Sequence, residues 1–217
     1  MHNMPRPRKR DYAELRCDLI EAGGRILSEE GPAALSTRRV AQQTGVSTTA
    51  VYSLFGDKAG LVREMFLAGF ERLGAAFAAV PRTTDPVVDL LALGHAYRAS
   101  ARANPHLYEL MFGRPVKEFE PDAETGARIG ATFDALVAAV ARCVEEGAFA
   151  PASPEDIAVQ LNAAVHGLSS LELRGALGDA DEATAHWERT LATLTRGLAR
   201  HEGATGGLAR HEGATGG

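Results

Sequence analysis

At 217 residues the chain is long enough for a small domain plus a larger one, and a hydrophobic content of 45% with 6% aromatic fits a globular, alanine-rich helical protein. No apolar run approaches the length of a bilayer span, and the opening MHNMPRPRKR lacks a signal peptide's apolar core, so a cytoplasmic location and no membrane partner are expected. The net charge of −5 argues against a nucleic-acid binder only until it is divided: residues 1–60 hold nine Lys/Arg against seven Asp/Glu, a net +2, and the remainder carries −7. Such asymmetry suits a DNA-facing domain on an acidic body.

The segment Arg6-Pro-Arg-Lys-Arg10, with Arg8, Lys9 and Arg10 at its end, reads as a basic arm (residues 1–10) that can enter a minor groove or lie along phosphates. Its plain alternative is a solubilising tail. Leu15, Leu19, Ala22, Ile26 and Leu27 form one stripe of a first helix, which Gly31-Pro32 stops. Then comes Ser36 to Lys58, STRRVAQQTGVSTTAVYSLFGDK. Val40 and Ala41 are apolar positions of one short helix and Val51 and Leu54 of the next, with Val46 leading out of the turn between them. Gly45 follows Thr44 where the first helix must end with positive φ, and Ser47 is a good N-cap for the second. The spacing predicts a helix-turn-helix, whose second helix can lie in the major groove of DNA.

Exposed residues of that segment agree with such a use. Arg38, opening the first helix, can read guanine bidentately, and Thr48, Thr49 and Ala50 bring short hydroxyl and methyl groups to base edges. Thr37, Tyr52 and Lys58 have the chemistry for phosphates, with Lys58 just inside the next helix after the Asp57 cap. A helical hairpin with a solvated polar face is the alternative.

A long amphipathic helix, the short pair, and Tyr52, Phe55, Gly56, Asp57 and Lys58 leading into another long helix follow one another in an order that resembles the DNA-binding domain of the TetR family of bacterial transcriptional regulators, over roughly residues 12 to 66. The resemblance implies a phosphate contact for Thr37, a base contact for Arg38, recognition-helix positions at Thr48 and Thr49 beside the Ser47 cap, and phosphate contacts for Tyr52 and Lys58. Asn104-Pro105 with Tyr108-Glu-Leu-Met-Phe-Gly113, followed by His166-Gly-Leu-Ser-Ser-Leu-Glu-Leu173, resembles the C-terminal domain of one TetR subgroup, marked by tryptophan, histidine and glycine. Here the first of those positions is Val165.

After Asp57, a stripe of Leu61, Met65 and Ala68 runs beside another of Val62, Phe66, Leu73 and Phe77, so this helix is expected to be sandwiched between the two domains. Asp85-Pro86 reads as an N-cap followed by a proline at the first helical position, and Asn104-Pro105 repeats the arrangement. Ile129, Phe133, Leu136, Val137, Val140 and Val144 form a core stripe ended by Gly147, and Ser153-Pro154-Glu155-Asp156 opens another helix. No strand-like alternation competes, so the fold expected is all-α: a helix-turn-helix domain over residues 11–60 and a larger helical ligand-binding and dimerisation domain over residues 61–200. Helices near 154–175 and 181–200 are the expected homodimer interface, through Leu161, Val165 and Leu168 on the first and Trp187, Leu191 and Leu194 on the second. Closure of the subunit's own core is the alternative use of these stripes.

A TetR-like body implies a pocket for a small-molecule effector, with Tyr97, Tyr108, Met111, Phe112, Phe133 and His166 as candidates. Catalysis finds little support: the histidines lack an i, i+4 metal pair, there is no cysteine cluster, phosphate loop or nucleophile elbow, and neither metal nor cofactor is expected. Cys17 and Cys143 read as reduced structural residues. Leu198 to Gly207 recurs as Leu208 to Gly217, and residues 201–217 are expected to be a disordered tail. The resulting expectation is a homodimeric repressor released from a palindromic double-stranded operator by a small molecule. Competing readings are a helical binding protein or an enzyme around His95, His106 and His166, either with a vestigial head.

Overall fold

The computed structural model describes residues 12–113 and 122–200. The basic arm with Arg8, Lys9 and Arg10 and the repeat after residue 200 lie outside the described residues. Among those described there are nine helices and no strand, only an isolated bridge between Phe149 and Ala199. They are α1 (Tyr12–Glu30), α2 (Thr37–Thr44), α3 (Thr48–Phe55), α4 (Lys58–Ala78), α5 (Pro86–Ala103), α6 (Pro105–Gly113), α7 (Ala123–Glu145), α8 (Pro154–Leu173) and α9 (Ala180–Leu198). Among the described residues no helix is long and apolar enough to cross a membrane.

Helix starts follow the side-chain chemistry of the preceding residue. Ser36, Ser47, Asp57, Asp85, Asp122, Ser153 and Asp179 each accept a hydrogen bond from a first-turn backbone N–H, satisfying donors that the helix itself leaves orphaned. Asn104 departs from this pattern. Its side-chain oxygen accepts from Arg72 at 2.5 Å and its amide donates to the Ser100 carbonyl at 3.1 Å, so it closes α5 rather than capping α6.

One core gathers Leu19, Ile26, Val40, Val51, Leu61 and Met65 from the first four helices and continues through Phe66 and Phe70 to Leu107 and Leu110 on α6. The wide apolar arc of α4 is therefore buried on both sides, as its sequence suggests: the first half against α1–α3, the second against α5, α6 and α7. Short α6 wedges between α1 and α4. Gly69 lies under Met111, and Gly24 faces the His106 Cβ, so that a Cβ added at either glycine would press on α6. Two further clusters fill the body. One joins Tyr97, Tyr108, Val165, Leu168, Trp187 and Leu191, and the other Leu90, Val140, Cys143, Phe149, Ile157 and Leu161.

A buried ion pair crosses the first of these. Arg98 on α5 donates to Glu172 on α8 at 2.8 and 2.9 Å, and Trp187 Nε1 on α9 donates to the same carboxylate at 2.7 Å. Three helices are thus tied at one carboxylate, where apolar packing alone would leave their register free to slide.

Candidate nucleic-acid interface and ligand cavity

The turn between α2 and α3 is set by backbone chemistry. Gly45 adopts φ 71°, its N–H bonds the Gln42 carbonyl, and the Val46 N–H reaches back to the Ala41 carbonyl at 3.1 Å. This is the paired hydrogen-bond pattern that ends a helix on a left-handed residue. A Cβ on Gly45 would meet nothing within 4 Å, so glycine is there for its φ and not for space. Val40, Ala41, Val51 and Phe55 point inward, fixing the opposite face outward.

That outward face carries Arg38 and Gln42 from α2, the N-cap Ser47, and Thr48, Thr49, Tyr52 and Ser53 from α3. Arg38 makes no ion pair with a described residue, whereas Arg39 is held by Glu30 and Gln43. Tyr52 is 53% exposed, unusual for so large a ring. Ser47 spends its oxygen on the Ala50 N–H. Lys58 Nζ reaches the Pro32 carbonyl at 3.3 Å, beside the start of α4. Thr37 differs from the rest: at 7% exposed, it is turned into the head and has little surface left for a phosphate.

Deeper in the body, an apolar chamber of about 170 Å³ lies between α4, α5, α7, α8 and α9. Tyr97, Phe112 and Phe133, three of the six candidate ligand residues, line it. Asn162 and Thr132 add polar side chains. The Tyr97 hydroxyl is buried with no hydrogen-bond partner of good geometry among the described residues, and burial, together with the neighbouring Tyr108 hydroxyl, holds its pKa far above the ordinary tyrosine value. Tyr108 and His166 line a separate, more polar cavity of about 440 Å³, with Phe112 on the wall common to both. There the Tyr108 hydroxyl lies 2.7 Å from His166 Nδ1 and donates to the His166 carbonyl at 3.0 Å. Burial lowers the His166 pKa, favouring neutral imidazole. Met111 belongs to neither of these two walls; it packs over Gly69 where α6 meets α4.

Comparison with known proteins bears on both regions. Residues 19–65 match the family described as bacterial regulatory proteins, tetR family, and residues 90–194 match the tetracyclin repressor-like C-terminal domain. The chain belongs to the TetR family. A relative, the HTH-type transcriptional regulator Rv1816 of Mycobacterium tuberculosis, is 30% identical over 146 residues, which cover 62% of this chain and 61% of that protein. The chain thus spans about three-fifths of the length of that curated relative. Among solved structures, a protein of unknown function from Rhodococcus sp. RHA1 superposes with a TM-score of 0.75 at 27% identity, covering 90% of this chain and 100% of the other. The TetR family transcriptional regulator PfmR from Thermus thermophilus shares the fold at a TM-score of 0.68 and 24% identity, over 84% of this chain and 99% of that one.

In this TetR-family chain, the stripes on α8 and α9 face its own interior. Leu161, Val165, Leu168, Trp187 and Leu191 are buried within the subunit, and Leu194 is half-buried against the third core cluster. A side chain enclosed by its own chain has no surface to offer a second copy. Outward on these helices are Val159, Ala163 and Leu171, with Ala192, Thr193 and Arg196. Val159 is 57% exposed and Leu171 45%.

Sequence reasoning also passed over a groove of about 610 Å³ next to the chamber, where Arg82, Arg128 and Arg142 meet Glu71 and Asp89. One signal was available. Arg128 and Arg142 are fourteen residues apart on α7, close to four full turns, with alanines 131, 135, 138 and 139 between them. That pattern marks a shallow helical face with a cation at each end. Arg128 pairs with Glu71, and Arg142 with Asp89 and with Glu146 at 2.6 Å. The Thr83 hydroxyl, at 2.6 Å, and then its N–H and Arg142, outweigh burial and hold Asp89 below the ordinary carboxylate range.

Proposed function

We propose that the protein is a homodimeric, cytoplasmic transcriptional repressor that binds a palindromic operator and is released by a small-molecule effector. Residues 11–60 form the DNA-binding head in this reading and residues 61–200 the effector-binding and dimerisation body. Arg38, Thr48 and Thr49 contact base edges; Tyr52 and Lys58, with a minor share from Thr37 and the arm at Arg8, Lys9 and Arg10, contact phosphate. The observation that carries the proposal is the continuity of α4 and α6 from the head core to the chamber: Phe66 and Leu107 belong to the former, while Phe70 and Phe112 line the latter.

Two heads on one operator require a two-fold partner, with a spacing near one DNA turn, about 34–36 Å. The outward stripes of α8 and α9, with Val159, Ala163 and Leu171 at their centre, support a four-helix contact between copies. The Val165-His166-Gly167 stretch supports the subgroup resemblance only in part, since Val165 lines the chamber where that subgroup has tryptophan. Effector in the chamber displaces α4 and α6 and so changes the separation of the heads. The effector acts only through its differential affinity for the two spacings. Selection of bound duplexes from a sheared genomic pool, at two salt concentrations, tests this. A palindrome recovered at both is the expected result. Recovery of no sequence above background from protein shown to carry no small molecule would overturn the repressor reading.

A further inference from the structure

The 170 Å³ chamber between α4, α5, α7, α8 and α9 is walled mainly by Phe, Leu and Val side chains, and among the described residues no charged side chain lines it. Charged groups elsewhere in the body are held in pairs: Arg98 with Glu172, Arg128 with Glu71, and Arg142 with Asp89 and Glu146. Burying an ionised group costs several kcal/mol unless a counter-charge meets it, so an occupant of this chamber is uncharged.

Four polar side chains do line it, and they are not equivalent. Thr195 spends its hydroxyl on the Leu191 carbonyl at 3.0 Å. The Tyr97 hydroxyl lies beside that of Tyr108, which belongs to the neighbouring cavity, and Thr132 stands on the wall shared with the groove. Asn162 differs from all three. It is half-buried near the middle of α8, beside Leu161 of the core, and its amide makes no hydrogen bond with a described residue. Asparagine is a poor choice for a helix interior, where its side chain competes with the backbone. Here it neither caps the helix nor packs as an apolar residue would, and its amide offers both a donor and an acceptor to the chamber.

Volume sets the size of the occupant. An apolar cavity of about 150 Å³ takes up benzene, whereas sites for drug-sized molecules begin at about 300 Å³. A chamber of 170 Å³ therefore holds one ring with a short substituent. We infer that the effector is a small uncharged molecule of that size, with its apolar body in the chamber and one polar group hydrogen-bonded to the Asn162 amide. This rests on the reading of residues 61–200 as an effector-binding body. An anion would find no counter-charge, a hydrocarbon would leave the amide unbonded, and a larger molecule would force the helices apart.

Calorimetric titration of the full chain at neutral pH with acetophenone, benzoate and cumene tests the inference. The three are matched in size and shape, and differ in carrying a neutral acceptor, a negative charge or no polar group. Acetophenone is expected to bind at least about thirtyfold more tightly than benzoate. Asn162→Leu should raise the acetophenone Kd about three- to tenfold, the scale of one hydrogen bond, and leave that of cumene within about twofold. Asn162→Ala, which adds no bulk, should repeat the loss for acetophenone. Benzoate binding as tightly as acetophenone, a loss shared equally by acetophenone and cumene in both variants, or no binding by any probe would overturn the inference. Operator binding in the same preparations, without probe, separates this from the regulator reading. Intact operator binding with failed probe discrimination sinks only the uncharged effector at Asn162; normal discrimination without operator binding sinks only the repressor.

Discussion

Replacing Glu172 by alanine removes the one carboxylate that α5, α8 and α9 share. Its oxygens accept from Arg98 at 2.8 and 2.9 Å and from Trp187 Nε1 at 2.7 Å, with Arg102 at 3.7 Å. The Arg98 and Glu172 side chains are only 10% and 12% exposed, so water cannot replace the lost partner well. Stranding a buried charge in this way costs about 3–5 kcal/mol, and the orphaned indole N–H overlaps that cost more than it adds to it. With 1 kcal/mol moving Tm by roughly 2–4 °C at this chain length, Glu172→Ala should lower Tm by about 6–20 °C. Glu172→Gln keeps one acceptor and should lose about half as much. The pH dependence fixes the sign. Burial raises the Glu172 pKa, but hydrogen bonds from Arg98 and Trp187 and the charges of Arg98 and Arg102 outweigh it and hold the group below the ordinary glutamate value. A depressed folded-state pKa stabilises above the unfolded value, near 4.3, and the gain is lost as pH falls through the folded one. The difference between wild type and Glu172→Gln should therefore be level between about pH 7 and 5 and shrink below about pH 4. Urea unfolding at fixed protomer concentration measures it. An alanine variant that loses under about 1 kcal/mol, or a difference that grows on acidification, would refute the reasoning.

Arg38→Ala should relax base preference by about 1–3 kcal/mol at one position per half-site, read by competition among operator variants; unchanged preference everywhere would remove Arg38 from base readout. Lys58→Ala should weaken all sequences alike and flatten the salt dependence of log K by about 0.9 per head, and a sequence-selective loss would contradict its role at phosphate. Tyr97→Phe removes a buried hydroxyl that has no partner among the described residues, so unfolding free energy without effector should stay level or rise by up to about 1 kcal/mol. A clear fall in the same urea titration would mean that the hydroxyl is satisfied in the free protein.

Local chemistry made the head legible before any coordinates. An N-cap serine acts on a backbone N–H three residues away, and a left-handed glycine ends the helix that it follows, so Ser36, Gly45, Ser47 and Asp57 specify α2, the turn, α3 and the start of α4 within their own neighbourhoods. Apolar periodicity likewise announced the wide buried arc of α4. Asn104 shows the limit of that reasoning. Its cap pattern looks like that before α5, yet Arg72, thirty-two residues away, takes the side-chain oxygen.

By itself the sequence determined an all-α chain, a helix-turn-helix with Arg38, Thr48, Thr49 and Tyr52 outward, and the family to which these belong. Tertiary structure alone decided what each apolar stripe is buried against. Periodicity states that a face leaves water, without saying whether its own chain or a second copy covers it, and so Leu161, Val165, Trp187 and Leu191 could not be allotted from spacing. The same reason divided the aromatic candidates, sending Tyr97, Phe112 and Phe133 to the chamber while Tyr108 and His166 hydrogen-bond beyond its wall. It also joined Arg82 on one connection to Arg128 and Arg142 on α7 around a single groove, because side chains far apart in the chain meet only once the helices between them have packed.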